Sequence, residues 1–209
     1  MHKAAVAAVV AAFFAAGAAP AQLATGRSGS STMSYLGQEE VWREIGFFGL
    51  CYADQNRDEA LQLIATAPGS REEALTYKKL FSKPYQSCLG DVSTLAVPLN
   101  MVRGSIAEGL LKKHVPIPAS LLLAAPAPGA ITTISEAARC YAVGHRTEVR
   151  GLLDTIPGSK KEFAALVPMV SEFTRCVPPK ARGLAFDPTQ IRFRLAEALL
   201  RLPPAPEKN

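Results

Sequence analysis

The chain has 209 residues, a formal net charge of +5, 48% hydrophobic and 20% charged side chains, and four cysteines. The positive charge is mild and scattered, with no basic run interleaved with aromatics, which argues against nucleic acid as a partner despite a pI of about 9.1. The length suits one ordinary domain or two small ones.

Residues 1–21 read as a secretory signal rather than as part of the fold. Lys3 supplies a positive start, Val6 to Ala16 is an apolar run, and Ala19-Pro20-Ala21 is a small-x-small cleavage site. The run is too short and Ala-rich for a membrane anchor, which needs about 20 strongly apolar residues. Cleavage before Gln22 would remove Lys3 and leave +4 on the mature chain. Its four cysteines are an even number, as expected in an oxidising compartment. The expected localisation is therefore periplasmic or secreted. Residues 22–37, rich in Gly, Ser and Thr, read as a flexible lead-in.

Beyond residue 37 the chain repeats itself. Cys51-Tyr52-Ala53, Pro68-Gly69-Ser70, Val102-Arg103 and Ala107-Glu108 recur as Cys140-Tyr141-Ala142, Pro157-Gly158-Ser159, Ile191-Arg192 and Ala196-Glu197, each 89 residues later. A constant offset across separate blocks argues for an internal duplication. We expect an all-α protein, a tandem duplication of a roughly four-helix unit. Repeat 1 spans 38–113 and repeat 2 spans 131–202. A Pro-rich connector at 114–130 joins them, and residues 203–209 form a disordered tail.

In each unit a first helix spans about Gln38 to Ala53, or Thr133 to Val143. A short second helix spans Asp58 to Thr66, or Thr147 to Thr155. Pro-Gly then breaks the chain. Ser70-Arg-Glu-Glu73 and Ser159-Lys-Lys-Glu162 are capping boxes that open a third helix. Its core stripe is expected at Ala74, Tyr77, Leu80, Phe81 and Cys88, and at Phe163, Leu166, Met169, Val170 and Cys176. A fourth helix opens near Pro98 and Pro188, residues suited to a first turn. Thr94–Val97 is the one faint strand candidate.

The cysteines occupy matching places, so duplication predicts Cys51–Cys88 and Cys140–Cys176, although spacing leaves the two other connectivities open. Each bridge would close a loop of nearly forty residues and stabilise by roughly 4 kcal/mol, a staple that a unit this small needs. A redox or metal role lacks support: there is no C-x-x-C, and His145 is the one histidine within a few residues of a cysteine.

Arg103 and Arg192 stand in the middle of the apolar arc of the fourth helix, among Val102, Ile106 and Leu110, or Ile191, Leu195 and Leu199. A cation pointing into an apolar face needs a partner. Candidates present in both units are Glu59 and Glu148, and Glu73 and Glu162. Glu108 and Glu197 point well away from the arginine of their own helix. The arginine is either buried in an ion pair or on helix C-terminal carbonyls, or it serves an anion or carboxylate pocket used twice. Lost folding in Arg103→Leu would mark the first reading, and lost binding with an intact fold the second. Trp42, Phe47 and Phe48 make the first helix the most aromatic element, as core or as a partner-binding ridge.

No catalytic constellation stands out. H-E-x-x-H, G-x-S-x-G, S-x-x-K and a phosphate-binding loop are absent, and His114 and His145 have no counterparts in the other unit. Ser70 and Ser159 read as caps rather than nucleophiles. Glu72 and Glu73 diverge on their helix, and Arg57 and Arg146 read as ligands of backbone carbonyls or of a neighbouring Glu. We expect no metal, no cofactor and no enzyme activity. The pattern Cys…Pro-Gly-Ser…Cys…Arg-x-x-x-Ala-Glu-x-Leu, from about Ile45 to Arg201, resembles small exported alphaproteobacterial proteins without assigned activity. That resemblance implies a helical, disulfide-stapled envelope protein and supplies no catalytic residues. The function expected is binding of a protein or other envelope macromolecule. The alternative is carriage of a small apolar or anionic ligand between the units.

Overall fold

The computed structural model describes residues 23–24, 38–82, 88, 94–95, 97–127, 130–177 and 188–204. The signal at 1–21, most of the lead-in and the last five residues of the tail lie outside them. The described residues hold eight α-helices: α1 Gln38–Gln55, α2 Arg57–Ala65, α3 Arg71–Ser82 and α4 Leu99–Lys112, then α5 Ile134–Gly144, α6 Arg146–Leu153, α7 Lys160–Cys176 and α8 Pro188–Arg201. The only extended pairing among the described residues is a two-residue antiparallel bridge. It joins β1 (Leu23–Ala24) to β2 (Thr94–Leu95), with Leu23 opposite Leu95. The fold is all-helical. It carries two disulfides, Cys51–Cys88 and Cys140–Cys176, with Cα separations of 5.4 and 5.9 Å.

The helix starts arise from local chemistry. Ser70 and Ser159 accept the backbone N–H of Glu73 and Glu162 at 3.0 and 3.1 Å. The glutamates reach back one residue further than a capping box requires: their Oε2 atoms accept the N–H of Gly69 and Gly158 at 2.6 and 2.5 Å. Both glycines have φ in the left-handed region, +77° and +76°, which a side chain would oppose. Pro-Gly-Ser thus aims the chain so that one carboxylate oxygen caps the helix while the other stays free for a partner. In the second half, Thr133 and Glu136 add a complete capping box at the start of α5.

Two apolar clusters form the core. The first gathers α1 to α4, and the second gathers α5 to α8. They are not separate: Phe193 and Leu200 of α8 belong to the first cluster, and Leu111 of α4 packs on both. Residues 101–110 of α4 are all buried, as are Ile191 to Phe193 and Leu195 to Leu200 of α8. A helix covered on every side carries apolar residues nearly all round, and these two cross at the centre of the molecule. The crossings are close. A Cβ on Gly104 would run into Phe193 Cβ, and one on Gly49 of α1 would run into the Ser105 carbonyl oxygen. The positions of Gly49 and Gly109 are held by Ala138 and Ala198 in the second half.

The connector is anchored: Leu123 N–H donates to Arg201 O at 2.7 Å and Arg201 Nε to Leu121 O at 3.1 Å. Arg146 donates to the Pro203 carbonyl at 2.6 Å. Two expected core residues lie outside. Ala74 is exposed, and Phe163 is 66% exposed. The buried stripe of α7 runs through Glu162, Leu166, Met169 and Phe173, a line about a quarter turn away from Phe163. The buried carboxylate of Glu162 sets that phase, and an apolar pattern alone does not reveal it.

Candidate functional site at the helix junction

Arg103 and Arg192 are 0% and 1% exposed. Arg103 Nη1 donates to Leu63 O (2.7 Å), Thr66 Oγ1 (3.0 Å) and Glu73 Oε1 (3.1 Å), and its Nη2 to Ile64 O and Thr66 O (both 3.0 Å). Arg192 repeats this atom for atom on Leu152 O, Thr155 Oγ1, Glu162 Oε1, Leu153 O and Thr155 O, at 2.9 to 3.0 Å. Each guanidinium therefore closes the C-terminal end of the short second helix of its half, where carbonyls lack helical partners and the dipole favours a cation. It also takes the free oxygen of the capping glutamate. Ion pair and carbonyl ligation occur together in one nest.

A further carboxylate comes from the opposite half. Glu197 Oε1 lies 2.8 Å from Arg103 Nη2, and Glu108 Oε1 lies 2.6 Å from Arg192 Nη2. Each of these glutamates also meets the cation one turn further along its own helix, Glu108 with Lys112 at 2.7 Å and Glu197 with Arg201 at 3.4 Å. Residue 103 meets 197 and residue 192 meets 108, so the contacts between halves are reciprocal, as in a two-fold pair, rather than head-to-tail. Glu108 and Glu197 do point away from the arginine of their own helix. They point at the arginine of the other, and the reading of a single helix had no way to see that. Glu148 sits on the surface, 3.7 Å from His145 Nδ1, and Glu59 is half-buried on α2. The capping glutamates Glu73 and Glu162, not these, meet the arginines.

The two nests differ in one bond. Arg192 Nε donates to Glu108 Oε2 at 2.8 Å, completing a two-pronged pair, whereas Arg103 Nε is buried without an acceptor. Burial opposes the charge on both arginines. Glu197 and Glu73 around Arg103, and Glu108 and Glu162 around Arg192, more than offset it and hold both above the ordinary guanidinium value. Tyr77, whose hydroxyl donates to Leu99 O at 2.6 Å, is pushed far up by burial and by the adjacent Glu73. These groups are closed within the protein and expose no reactive atom.

The three aromatics of α1, expected as core or as a ridge, divide between the two. Phe48 is buried in the first core, Trp42 packs partly against it, and Phe47 alone stands out, 56% exposed. Phe47 lines a cleft of about 160 Å³ with Gly46, Leu50, Glu108, Ile156 and Pro157. A matching cleft of about 240 Å³ lies on the other side of the junction, lined by Pro68, Ser135, Glu136, Arg139, Arg194, Glu197 and Arg201. Pro157, Gly46, Phe47, Leu50, Glu108 and Lys112 of the first correspond to Pro68, Ser135, Glu136, Arg139, Glu197 and Arg201 of the second at the same 89-residue offset. A larger cavity of about 490 Å³ lies between the end of α4, the start of the connector, α6 and α8, with Leu110, Val115, Leu153 and Leu199 in its wall beside His114 and Arg150.

Among the described residues no group of three or more His, Cys, Asp or Glu could hold a metal ion, and no helix is long and apolar enough to cross a membrane. No family model, curated protein or solved structure matches the chain.

Proposed function

We propose that this is an exported, non-enzymatic helical protein that binds a protein or another macromolecule of the cell envelope. We further propose that it arose by tandem duplication of a roughly four-helix unit, and that it is akin to the exported alphaproteobacterial proteins it resembles. Export is supported by the signal-like residues 1–21 and by two disulfides, which persist in oxidising compartments. Duplication is supported by the two arginine nests, whose bonds to the helix-end carbonyls, the threonine and the capping glutamate recur at one offset. Binding rests on a single observation. Phe47 and Ile156, contributed by opposite halves, are 56% and 61% exposed and line one cleft. Large apolar side chains grouped at the surface mark contact sites, and aromatic anchors dominate the energetics of such contacts. In capture from the organism's own envelope, Phe47→Asp should lose a partner that the unaltered chain retains, with helical content unchanged. Equal capture by both would remove this reading. A carrier role for a small ligand is the second reading, favoured by the cavities on either side of the junction.

A further inference from the structure

The two matching clefts share a proline and a glutamate, Pro157 and Glu108 in one and Pro68 and Glu197 in the other, but differ in charge: Arg43 and Lys112 balance Glu108 and Asp154 in the first, whereas the second carries an excess of arginine. Where the first half has Gly46, Leu50 and Ser105, the second has Ser135, Arg139 and Arg194. The first half folds around the same arginine nest without these polar groups, so folding does not require them. They change what the cleft offers: three guanidiniums, Arg139, Arg194 and Arg201, face one space. Arg194 is held by the Ser135 hydroxyl at 3.0 Å. Arg201 shares Glu197, which Arg103 also engages. Arg139 has no carboxylate partner among the described residues.

From this geometry we infer that the cleft binds a small organic monocarboxylate with an apolar body. Its lining carries three positive charges against two negative ones, Glu136 and Glu197, so one net charge awaits an anion. Glu136 is already engaged, its Oε2 accepting from the backbone of Thr132 and Thr133 at 2.7 and 2.9 Å. A planar, forked guanidinium suits a carboxylate in two-pronged fashion. Pro68, Leu123 and Ala198 supply the apolar wall, and a volume of about 240 Å³ is below that of drug-sized sites. Burial and the Arg103 charge hold Arg194 and Arg201 below the ordinary guanidinium value against the opposing pull of Glu197, a strain that a bound anion relieves. This inference concerns the opposite cleft from Phe47 and stands apart from the macromolecular reading.

The test is calorimetric titration of the disulfide-bonded chain with octanoate, with octanol and inorganic phosphate as comparisons. Octanoate should bind one to one, and octanol at least roughly tenfold more weakly for want of the charge-assisted bonds. Arg139→Leu and Arg194→Ser, which install the residues of the first half, should each weaken octanoate by roughly tenfold while the thermal midpoint holds. Arg139→Gln serves as a second variant should the leucine disturb folding. No octanoate binding, equal binding by Arg139→Gln, or phosphate binding as tight as octanoate would each overturn the inference.

Discussion

Arg103 and Arg192 meet the same carbonyls, the same threonine and the same capping glutamate, 89 residues apart. The clefts beside them share their floor and little else: Phe47 and Leu50 on one side, Glu136 and Arg139 on the other. What the halves hold in common is what each needs to close a helix end and bury a charge. Where they differ, side chains reach solvent and folding sets few demands. The halves thus differ at the junction surface and agree in the nests beneath it.

Breaking the common part should have the largest effect. Arg192→Leu leaves Glu162 buried without a cation and Glu108 with Lys112 alone, and should cost about 3–5 kcal/mol in urea unfolding. Arg103→Leu should cost less, since Arg103 lacks the Nε bond that Arg192 makes to Glu108. Equal losses would show that this one bond does not distinguish the nests.

The helix crossings sharpen the comparison at smaller scale. Gly49→Ala drives a Cβ into the Ser105 carbonyl and should destabilise by about 1–3 kcal/mol. Ala138→Gly, at the matching position of the second half, should cost about 1–2 kcal/mol through helix propensity and the loss of a buried methyl. Thermal unfolding of both would show whether α1 lies closer to α4 than α5 does to α8.

The smallest effect belongs to the second half alone. Hydrogen bonds from the Thr132 and Thr133 backbone and hydroxyls hold the Glu136 carboxyl at about 2, below its ordinary 4.5. A group with a lowered folded-state value stabilises fully above the ordinary value, and the contribution fades as pH falls from about 4.5 towards 2. Glu136→Gln should remove that stretch of acid dependence, as followed by unfolding between those pH values, and lower neutral stability only slightly. Position 136 corresponds to Phe47, which lies inside α1 rather than at its start, so no matching titration is expected from the first half.

Much of the fold was legible in the residues because the signals are local. Ser-x-x-Glu after Pro-Gly marks a helix start within one turn, and α3 and α7 begin there. Four cysteines at matching places pointed to two bridges. An arginine in an apolar arc announced its own burial, since a helix repeats its faces every three to four residues. The same local logic misplaced Phe163, because a buried glutamate rather than an apolar side chain sets the phase of α7. It also left Glu108 and Glu197 without partners, and it gave Trp42, Phe47 and Phe48 one shared role, core or ridge, although consecutive residues on a helix diverge.

The sequence by itself determined the helices, their caps, the cysteine positions and the two arginines, because each depends on neighbours a few residues away along the chain. The tertiary structure alone decided that α4 and α8 exchange glutamates, with 84 residues between Glu108 and Arg192. It likewise gathered Arg139, Arg194 and Arg201 around one cleft. Which carboxylate meets which guanidinium depends on how closely two helices cross and on their rotation about their own axes. Gly104 against Phe193 sets that approach, and no spacing along the chain encodes it.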